Sequence, residues 1–292
     1  MTLLELIEAQ AARLHEAGVS FGHGTTNAFD EAAWLVMWKL GIPLEALDEH
    51  ASDEVPAAAA DEAQALVQER IVSRKPAAYL TGEAWLQGVP FYVDERSIVP
   101  RSFIAELIAD ATIDAWLSDE TTRVLDLCTG NGSLAVLAAM AWPEVSVDAI
   151  DLSTDALAVA RINVDRHALA ARIRLLQGDG LAPADGAYDL ILCNPPYVNS
   201  ASMGVLPLEY RAEPELALAG GEDGMDFIRQ LLARAPDHLT EHGVLVLEIG
   251  NERAFFEAAF PRLEAAWLET SAGEDQVLLL TRSALMALVA AR

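Results

Sequence analysis

Tyr188-Asp189-Leu190-Ile191-Leu192-Cys193-Asn194-Pro195-Pro196-Tyr197 is a short apolar run closed by two consecutive prolines. A run of this length, bounded by turn residues, reads as a buried parallel strand. Proline has no N–H to give a ladder, so a central strand must stop and turn at Pro195-Pro196. The stop leaves Asn194 at the strand's carboxyl edge, where open α/β sheets place their ligands. The prolines stiffen the backbone beside it, and Tyr197 supplies an aromatic face. An amide, a fixed carbonyl and a ring together suit a planar amino group, and they point to methyl transfer onto a planar nitrogen.

Outward from this strand, extended and helical patterns alternate. Strands are predicted over 124–127, 145–150, 173–176, 190–193 and 244–249, with helices over 133–141, 155–167 and 227–235. A last pair of strands, 267–270 and 276–281, would close the sheet. Such alternation implies an α/β fold with a mostly parallel, doubly wound sheet. A helix is expected over 103–116, just ahead of it. Between 79 and 99 the texture changes, because Thr81-Gly82, Gly88 and Pro90 punctuate Ala84-Trp85-Leu86 and Phe91-Tyr92-Val93. That is a hairpin-like connector. The N-terminal stretch reads as helical, with Leu3, Leu4, Ile7, Ala11 and Leu14 at helical spacing, and likewise Ala33, Val36, Met37 and Leu40. Asn27 or Asp30 suits the cap of the second helix, Gly41-Ile42-Pro43 its end, and a third helix spans 57–73. The expected division is a helical unit over 1–77, a connector over 78–100 and a catalytic domain over 101–292.

The composition, 52% hydrophobic and 22% charged, is that of a globular protein. No apolar stretch approaches the roughly 20 residues that span a bilayer, and the acidic N-terminal segment has no basic signal head, so no membrane partner is expected. Two cysteines, Cys128 and Cys193, are too few for a disulfide framework or a cysteine zinc site, and no metal is expected. A cytoplasmic location follows by default. The net charge is −26, with 19 basic residues. Binding to duplex DNA or long RNA calls for a basic stripe that neutralises phosphates, and none is visible, so no direct nucleic-acid binding is expected. An acidic surface favours a cationic partner; it also aids solubility.

Arg123-Val-Leu-Asp-Leu-Cys-Thr-Gly-Asn-Gly132 is a strand running into a glycine turn that opens a helix. Thr129, Gly130 and Gly132 form a turn that a ligand can approach closely, and Asp151 ends the next strand 21 residues after Gly130. An acid at that offset accepts hydrogen bonds from ribose hydroxyls. Asp126, just ahead of the turn, repels a pyrophosphate but can bind an ammonium group. S-adenosylmethionine carries an ammonium, a ribose and an adenine, and no phosphate. Asp179, at the end of the third strand, would accept from the adenine amino group, and Gly178-Asp179-Gly180 reads equally well as a plain turn. Asn194 ends the fourth strand. In the transfer itself, the Asn194 side-chain oxygen and the Pro195 carbonyl would accept the two N–H bonds of the acceptor, flanked by Pro196, and Tyr197 would pack on the planar group.

Asn194-Pro-Pro-Tyr197 together with the 126–132 turn resembles the class I methyltransferases that act on amino groups. Ala78-Tyr-Leu-Thr-Gly82, the stretch Phe91-Tyr-Val-Asp-Glu-Arg-Ser-Ile-Val-Pro-Arg101 and Glu213-Pro-Glu-Leu-Ala-Leu-Ala-Gly-Gly221 are similar to the protein glutamine-N5 branch. The resemblance covers nearly the whole chain. It implies a Rossmann-like, mostly parallel seven-stranded sheet, S-adenosylmethionine as methyl donor, and an N-terminal helical domain that helps select a protein substrate. Release-factor enzymes of this branch typically read Pro-Arg-Pro-Glu-Thr, whereas this chain reads Pro100-Arg-Ser-Phe-Ile-Ala-Glu-Leu-Ile108. With Phe21-Gly-His-Gly-Thr-Thr-Asn27 and Asp30-Glu31, it looks like the enzymes that modify a large-subunit ribosomal protein (L-three), free or in a subunit precursor. Phe103 stands where a proline is usual. Release factors and, further off, nucleic-acid bases are the alternative acceptors.

Four further residues carry two readings each. His23 is a loop residue or cap, or a substrate contact. Arg101 ties the hairpin to the cofactor site, or pairs with an acid at the surface. Cys128 and Cys193 end adjacent strands at the cofactor edge, as small buried hydrophobes or as thiols that a bound cofactor shields from alkylation.

Overall fold

The computed structural model describes residues 1–291. Three helices form the N-terminal part: α1 (Leu3–Glu16), α2 (Ala28–Leu40) and the helix Ala57–Ser73. Thr2 and Glu5 close a capping box on α1. The Asn27 side chain caps α2, and Gly41 ends it in the left-handed conformation. Leu3, Leu6, Ile7, Leu14, Leu35, Met37 and Val67 from the three helices share one buried cluster, which reaches Ala84, Val93 and Val99 of the connector. Short helical turns at Leu44–Ala46, Leu47–His50 and Ala77–Thr81 add to the elements read from the sequence.

The connector is a two-stranded antiparallel hairpin, β1 (Glu83–Leu86) and β2 (Val89–Tyr92). Gln87 and Gly88 both take positive φ, the geometry of a tight hairpin turn. Asn163 clamps the hairpin to the sheet domain, its side chain accepting from the Tyr92 N–H at 2.7 Å and donating to the Tyr92 carbonyl at 2.9 Å.

The main sheet has seven strands in the order β5-β4-β3-β6-β7-β9-β8, where β3 is Arg123–Leu127, β4 Ser146–Asp151, β5 Ile173–Gln177, β6 Tyr188–Cys193, β7 Leu239–Glu248, β8 Ala266–Thr270 and β9 Gly273–Thr281. β3 to β7 run parallel; β9 is antiparallel to both neighbours. Both faces are covered: Val124, Leu190, Leu192 and Val246 enter one apolar cluster, and Leu125, Ile191, Cys193 and Leu247 enter the other. Burial on both sides explains why these strands read as continuous apolar runs. The chain steps outward from β3 to β5, then returns to lay β6 against the free side of β3. The crevice at the carboxyl ends of β3 and β6 is therefore the topological switch point, where a doubly wound sheet binds its ligand.

Two expectations need correction. The helix expected over 103–116 is broken into Ile104–Ala109 and a 3₁₀ turn Thr112–Trp116, with Ala111 at φ +61° between them. The Asp110 side chain takes the Thr112 N–H, which competes with helical bonding. β7 also starts five residues earlier than the apolar run suggested. Gly243 lets the chain pass the Tyr188 carbonyl, which a β-carbon there would meet at 2.7 Å.

Candidate active site

A cleft with 830 Å³ of space, part of it open to solvent, lies over the carboxyl ends of β3, β4 and β6. Gly130, Asp151, Asp179, Asn194 and Pro196 line it, with Leu127, Ile150 and Phe227 among its apolar walls. The turn after β3 puts Cys128, Gly130 and Gly132 at φ +62°, +55° and +81°. No heavy atom lies within 4 Å of a β-carbon built on Gly130, so its backbone faces open space. At Gly132 a β-carbon would meet Ala160 at 3.1 Å, so this glycine serves helix packing instead.

Asp151 holds the turn and faces the cleft. Its Oδ2 accepts the Gly130 N–H at 2.8 Å and its Oδ1 accepts the Ser153 N–H at 2.8 Å. Each oxygen keeps further acceptor capacity toward the cleft. Burial pushes its carboxyl above the usual range, against those backbone bonds. Asp179 is exposed and lies two residues beyond the end of β5 at Gln177, in the turn rather than on the strand.

Asp126, Thr129 and Gly132 are not part of the cleft lining, which corrects the expectation that Asp126 meets the cofactor directly. The Asp126 carboxylate is fully buried, and it accepts from the Thr129 hydroxyl and from the Ala135 N–H at 2.9 Å. It ties the glycine turn to the helix Ser133–Ala141 that follows. Burial pushes it up to about 7. Asp126 points inward because it lies on a strand enclosed on both faces, which its place in the motif does not reveal.

At the end of β6, Asn194 is half-buried and Pro195 buried. Among the described residues no donor bonds the Asn194 side chain or the Pro195 carbonyl. Pro195 and Tyr197 stay outside the main lining; the Tyr197 ring packs so closely on Gly250 that a β-carbon there would meet it at 2.5 Å. The Tyr197 hydroxyl lies 3.4 Å from Glu248, the last residue of β7. Burial pushes the Tyr197 phenol up, so it stays a donor. Glu248 also accepts from the Ser102 hydroxyl at 2.6 Å and the Phe103 N–H at 2.9 Å, and burial pushes its carboxyl up to about 7. The sequence signal that could have found it is a lone acid ending an apolar strand, one strand over from Asn194.

The chain beyond Tyr197 is held to the N-terminal helices by acids. Glu209 takes the Ser20 N–H at 3.2 Å and the guanidinium of Arg74 at 3.3 Å, with Arg70 at 3.5 Å. Arg70 is itself fully buried against Glu31 at 2.8 Å. Glu213 receives both arms of Arg101, at 2.5 and 2.7 Å, and the Val99 N–H at 3.0 Å. Burial alone would raise the Glu213 carboxyl; the Arg101 guanidinium overrides it and holds it at about 2. His23 is buried, 3.4 Å from Glu213 and packed against the Tyr210 ring in a tilted pair, 4.4 Å between centroids. The Arg101 partner is thus a buried acid rather than a surface one, and His23 is an internal contact of this latch. Pro214, Leu216 and Ala217, just after Glu213, line the cleft together with Ser97 and Ile98, so the latch sets part of its wall. Cys128 lines the cleft, but Cys193 is fully buried, and only the first is placed for a ligand to shield.

The donor set fits S-adenosylmethionine. A carboxylate faces the cleft beside an open glycine backbone, with apolar walls for a base. Among the described residues its one lining guanidinium, on Arg96, is forked onto Asp94, which leaves no free cation there for a pyrophosphate.

Residues 109–206 match the family model for the methyltransferase small domain. Over 97% of its length the chain is 53% identical to the ribosomal protein uL3 glutamine methyltransferase of Bordetella pertussis, covering 96% of that protein. The protein of the same name from Burkholderia pseudomallei is 51% identical over 98% of this chain and 96% of its own. That from Bradyrhizobium diazoefficiens is 45% identical over 95% and 89%. Among solved structures, the hMettl16 catalytic domain in complex with an RNA hairpin shares the fold, with a TM-score of 0.51 and 13% identity over 77% of this chain and 81% of that one.

Proposed function

Because the chain belongs to the ribosomal protein uL3 glutamine methyltransferases, we propose that it methylates the side-chain amide nitrogen (N5) of a glutamine in ribosomal protein uL3, with S-adenosylmethionine as methyl donor. The observation that carries the transfer site is the pair of unengaged acceptors at the switch point, the Asn194 side-chain oxygen and the Pro195 carbonyl. Polar groups this enclosed are ordinarily hydrogen-bonded, and a primary amide brings the two N–H donors they lack.

S-adenosylmethionine, when bound, supplies a sulfonium-activated methyl group. Of the cleft's lining residues, Gly130 and Asp151 would hold its ribose, Asp179 would accept from its base, and Asn194 would serve both cofactor and acceptor. Asn194 and Pro195 accept the two amide N–H bonds, fix the nitrogen in place and favour the positive charge that grows on it. Tyr197, wedged on Gly250 and tethered to Glu248, stiffens the turn that carries both acceptors. The helical N-terminal unit, bound to the 208–213 segment through Glu209 and Glu213, would help present the protein substrate.

The test is transfer of radiolabelled methyl groups, side by side, into unmodified uL3, unmodified release factors and nucleic acid. Label in uL3, mapped to a glutamine by mass spectrometry, is the expected outcome. Label only in release factors would overturn the substrate. Asn194→Ala should lower kcat about 100- to 1000-fold while leaving uL3 binding within twofold. Retained turnover would sink the role given to Asn194.

A further inference from the structure

The N-terminal helices and the hairpin enclose a second groove, with 1050 Å³ of space including its solvent-open part, lined by Trp34, Trp38, Leu44, Glu45, Glu83 and Trp85 among others. Half of the chain's 6 tryptophans therefore converge on one surface feature. Trp34 and Trp38 are one helical turn apart at the end of α2. Gly41 then turns the chain so that the Leu44–Ala46 turn forms a second side. Trp85 and Glu83 alternate with the buried Ala84 and Leu86, so they share the outward face of β1. Trp38 is 40% exposed and Trp85 48%, which leaves two large aromatic rings open to solvent beside two carboxylates. Among the described residues no lysine or arginine lines the groove; Lys39, next in sequence to Trp38, pairs with Glu62 instead, at 3.3 Å.

We propose that this groove docks a cationic, lysine- or arginine-bearing segment of the ribosomal protein substrate, away from the glutamine that is methylated. The inference rests on the substrate reading above and names where that substrate is gripped. Tryptophan faces attract ammonium and guanidinium groups through the ring quadrupole, and flanking carboxylates add charge attraction. A protein that binds ribosomal RNA must carry such groups to neutralise phosphates, and it meets a chain of net charge −26. The groove is connected to the active site: the ring of Trp34 lies 3.4 Å from the β-carbon position of Gly24, whose neighbour His23 touches Glu213 in the latch. A segment held there is bound equally before and during transfer. Its loss raises KM and leaves kcat in place.

The experiment measures kcat and KM for intact unmodified uL3, with S-adenosylmethionine affinity and oligomeric state, on the full-length protein and two variants. Trp85→Ala should raise KM about tenfold, with kcat and S-adenosylmethionine affinity within twofold. Glu45→Gln with Glu83→Gln, which keeps the shape and removes charge, should raise KM about threefold and flatten its dependence on salt. A wild-type protein that leaves uL3 unlabelled overturns the substrate reading itself. Labelling of uL3 with KM unchanged in both variants overturns the groove alone. A fall in kcat or in cofactor affinity without a rise in KM makes Trp85 a structural residue and overturns the proposal. A changed oligomeric state at constant KM assigns the groove to a second copy of the chain, with the same consequence.

Discussion

Glu248 and Glu213 are two buried glutamates near the transfer turn, one at the end of β7 against the Tyr197 hydroxyl, the other on the latch that follows it. Both are glutamates and both are almost fully buried, at 2% and 5% exposure. Burial pushes each carboxyl up, and there the likeness ends. Glu248 is held chiefly by neutral donors, the Ser102 hydroxyl and the Phe103 N–H, and stays at about 7. Glu213 receives a two-armed guanidinium and is held at about 2. Enclosure alone thus does not decide the charge of a buried carboxyl; a directly bonded cation does. The sheet side of the turn changes charge near neutrality, whereas the latch side is ionised throughout the neutral range.

The largest effect expected from this contrast is on the latch. Arg101→Ala leaves Glu213 buried with no bonded cation, and should cost about 3–5 kcal/mol of stability in urea unfolding at pH 7. Arg101→Met combined with Glu213→Leu removes both charges and should recover most of that loss. The sign of the pH dependence follows. The folded-state value of Glu213 is below the ordinary 4.5, so its contribution is present above pH 4.5 and lost as pH falls toward 2. Arg101→Ala should erase that acid-side loss. A cost under about 1 kcal/mol would show that the guanidinium is not what separates the two glutamates.

Glu248→Gln should have the next largest effect, with the opposite slope. Its folded-state value is raised, so the carboxyl contributes most below pH 4.5, and stability is lost as pH rises from 4.5 to 7. The amide removes that dependence, and the variant should gain up to about 3 kcal/mol on the wild type between pH 5 and pH 8. Asp126, pushed from 3.8 to about 7 by burial, slopes the same way and remains in the variant, so the slope should shrink and not vanish. Parallel urea curves for wild type and variant at both pH values would break the comparison.

These two acids also mark where the sequence stops being legible. The strand runs, the Gly130 turn, the 21-residue offset to Asp151 and the stop at Pro195 are local patterns, and the structure places them at one switch point. The Arg101–Glu213 pair spans 112 residues and Ser102–Glu248 spans 146, so neither leaves a spacing to read. Arg101 was open to two readings because a lone arginine after Val99-Pro100 does not name its acid. Asp126 misled for a different reason: its place in the motif is local, but the direction of its side chain depends on the layers packed on both faces of β3. The break at Ala111 likewise depends on which way the Asp110 side chain turns.

Phe103→Pro should give the smallest effect, and it bears on a departure from the motif that the chain resembles. The family resemblance leads one to expect a proline at Phe103, and the Phe103 N–H is one of the donors on Glu248. Its φ of −69° already suits proline, so the substitution mainly deletes that donor and the packing of the phenyl ring on the sheet cluster. The lost hydrogen bond should cost about 1 kcal/mol. Because the N–H lowers the Glu248 value, its removal should move the pH at which stability declines upward, toward the alkaline side. Phe103→Leu shortens the ring but keeps the N–H, and should leave that pH where it is. Equal midpoints in the two variants would show that the Phe103 N–H does not tune Glu248. Unequal ones would make the exchange of proline for phenylalanine the means by which this chain keeps its buried glutamate as low as about 7.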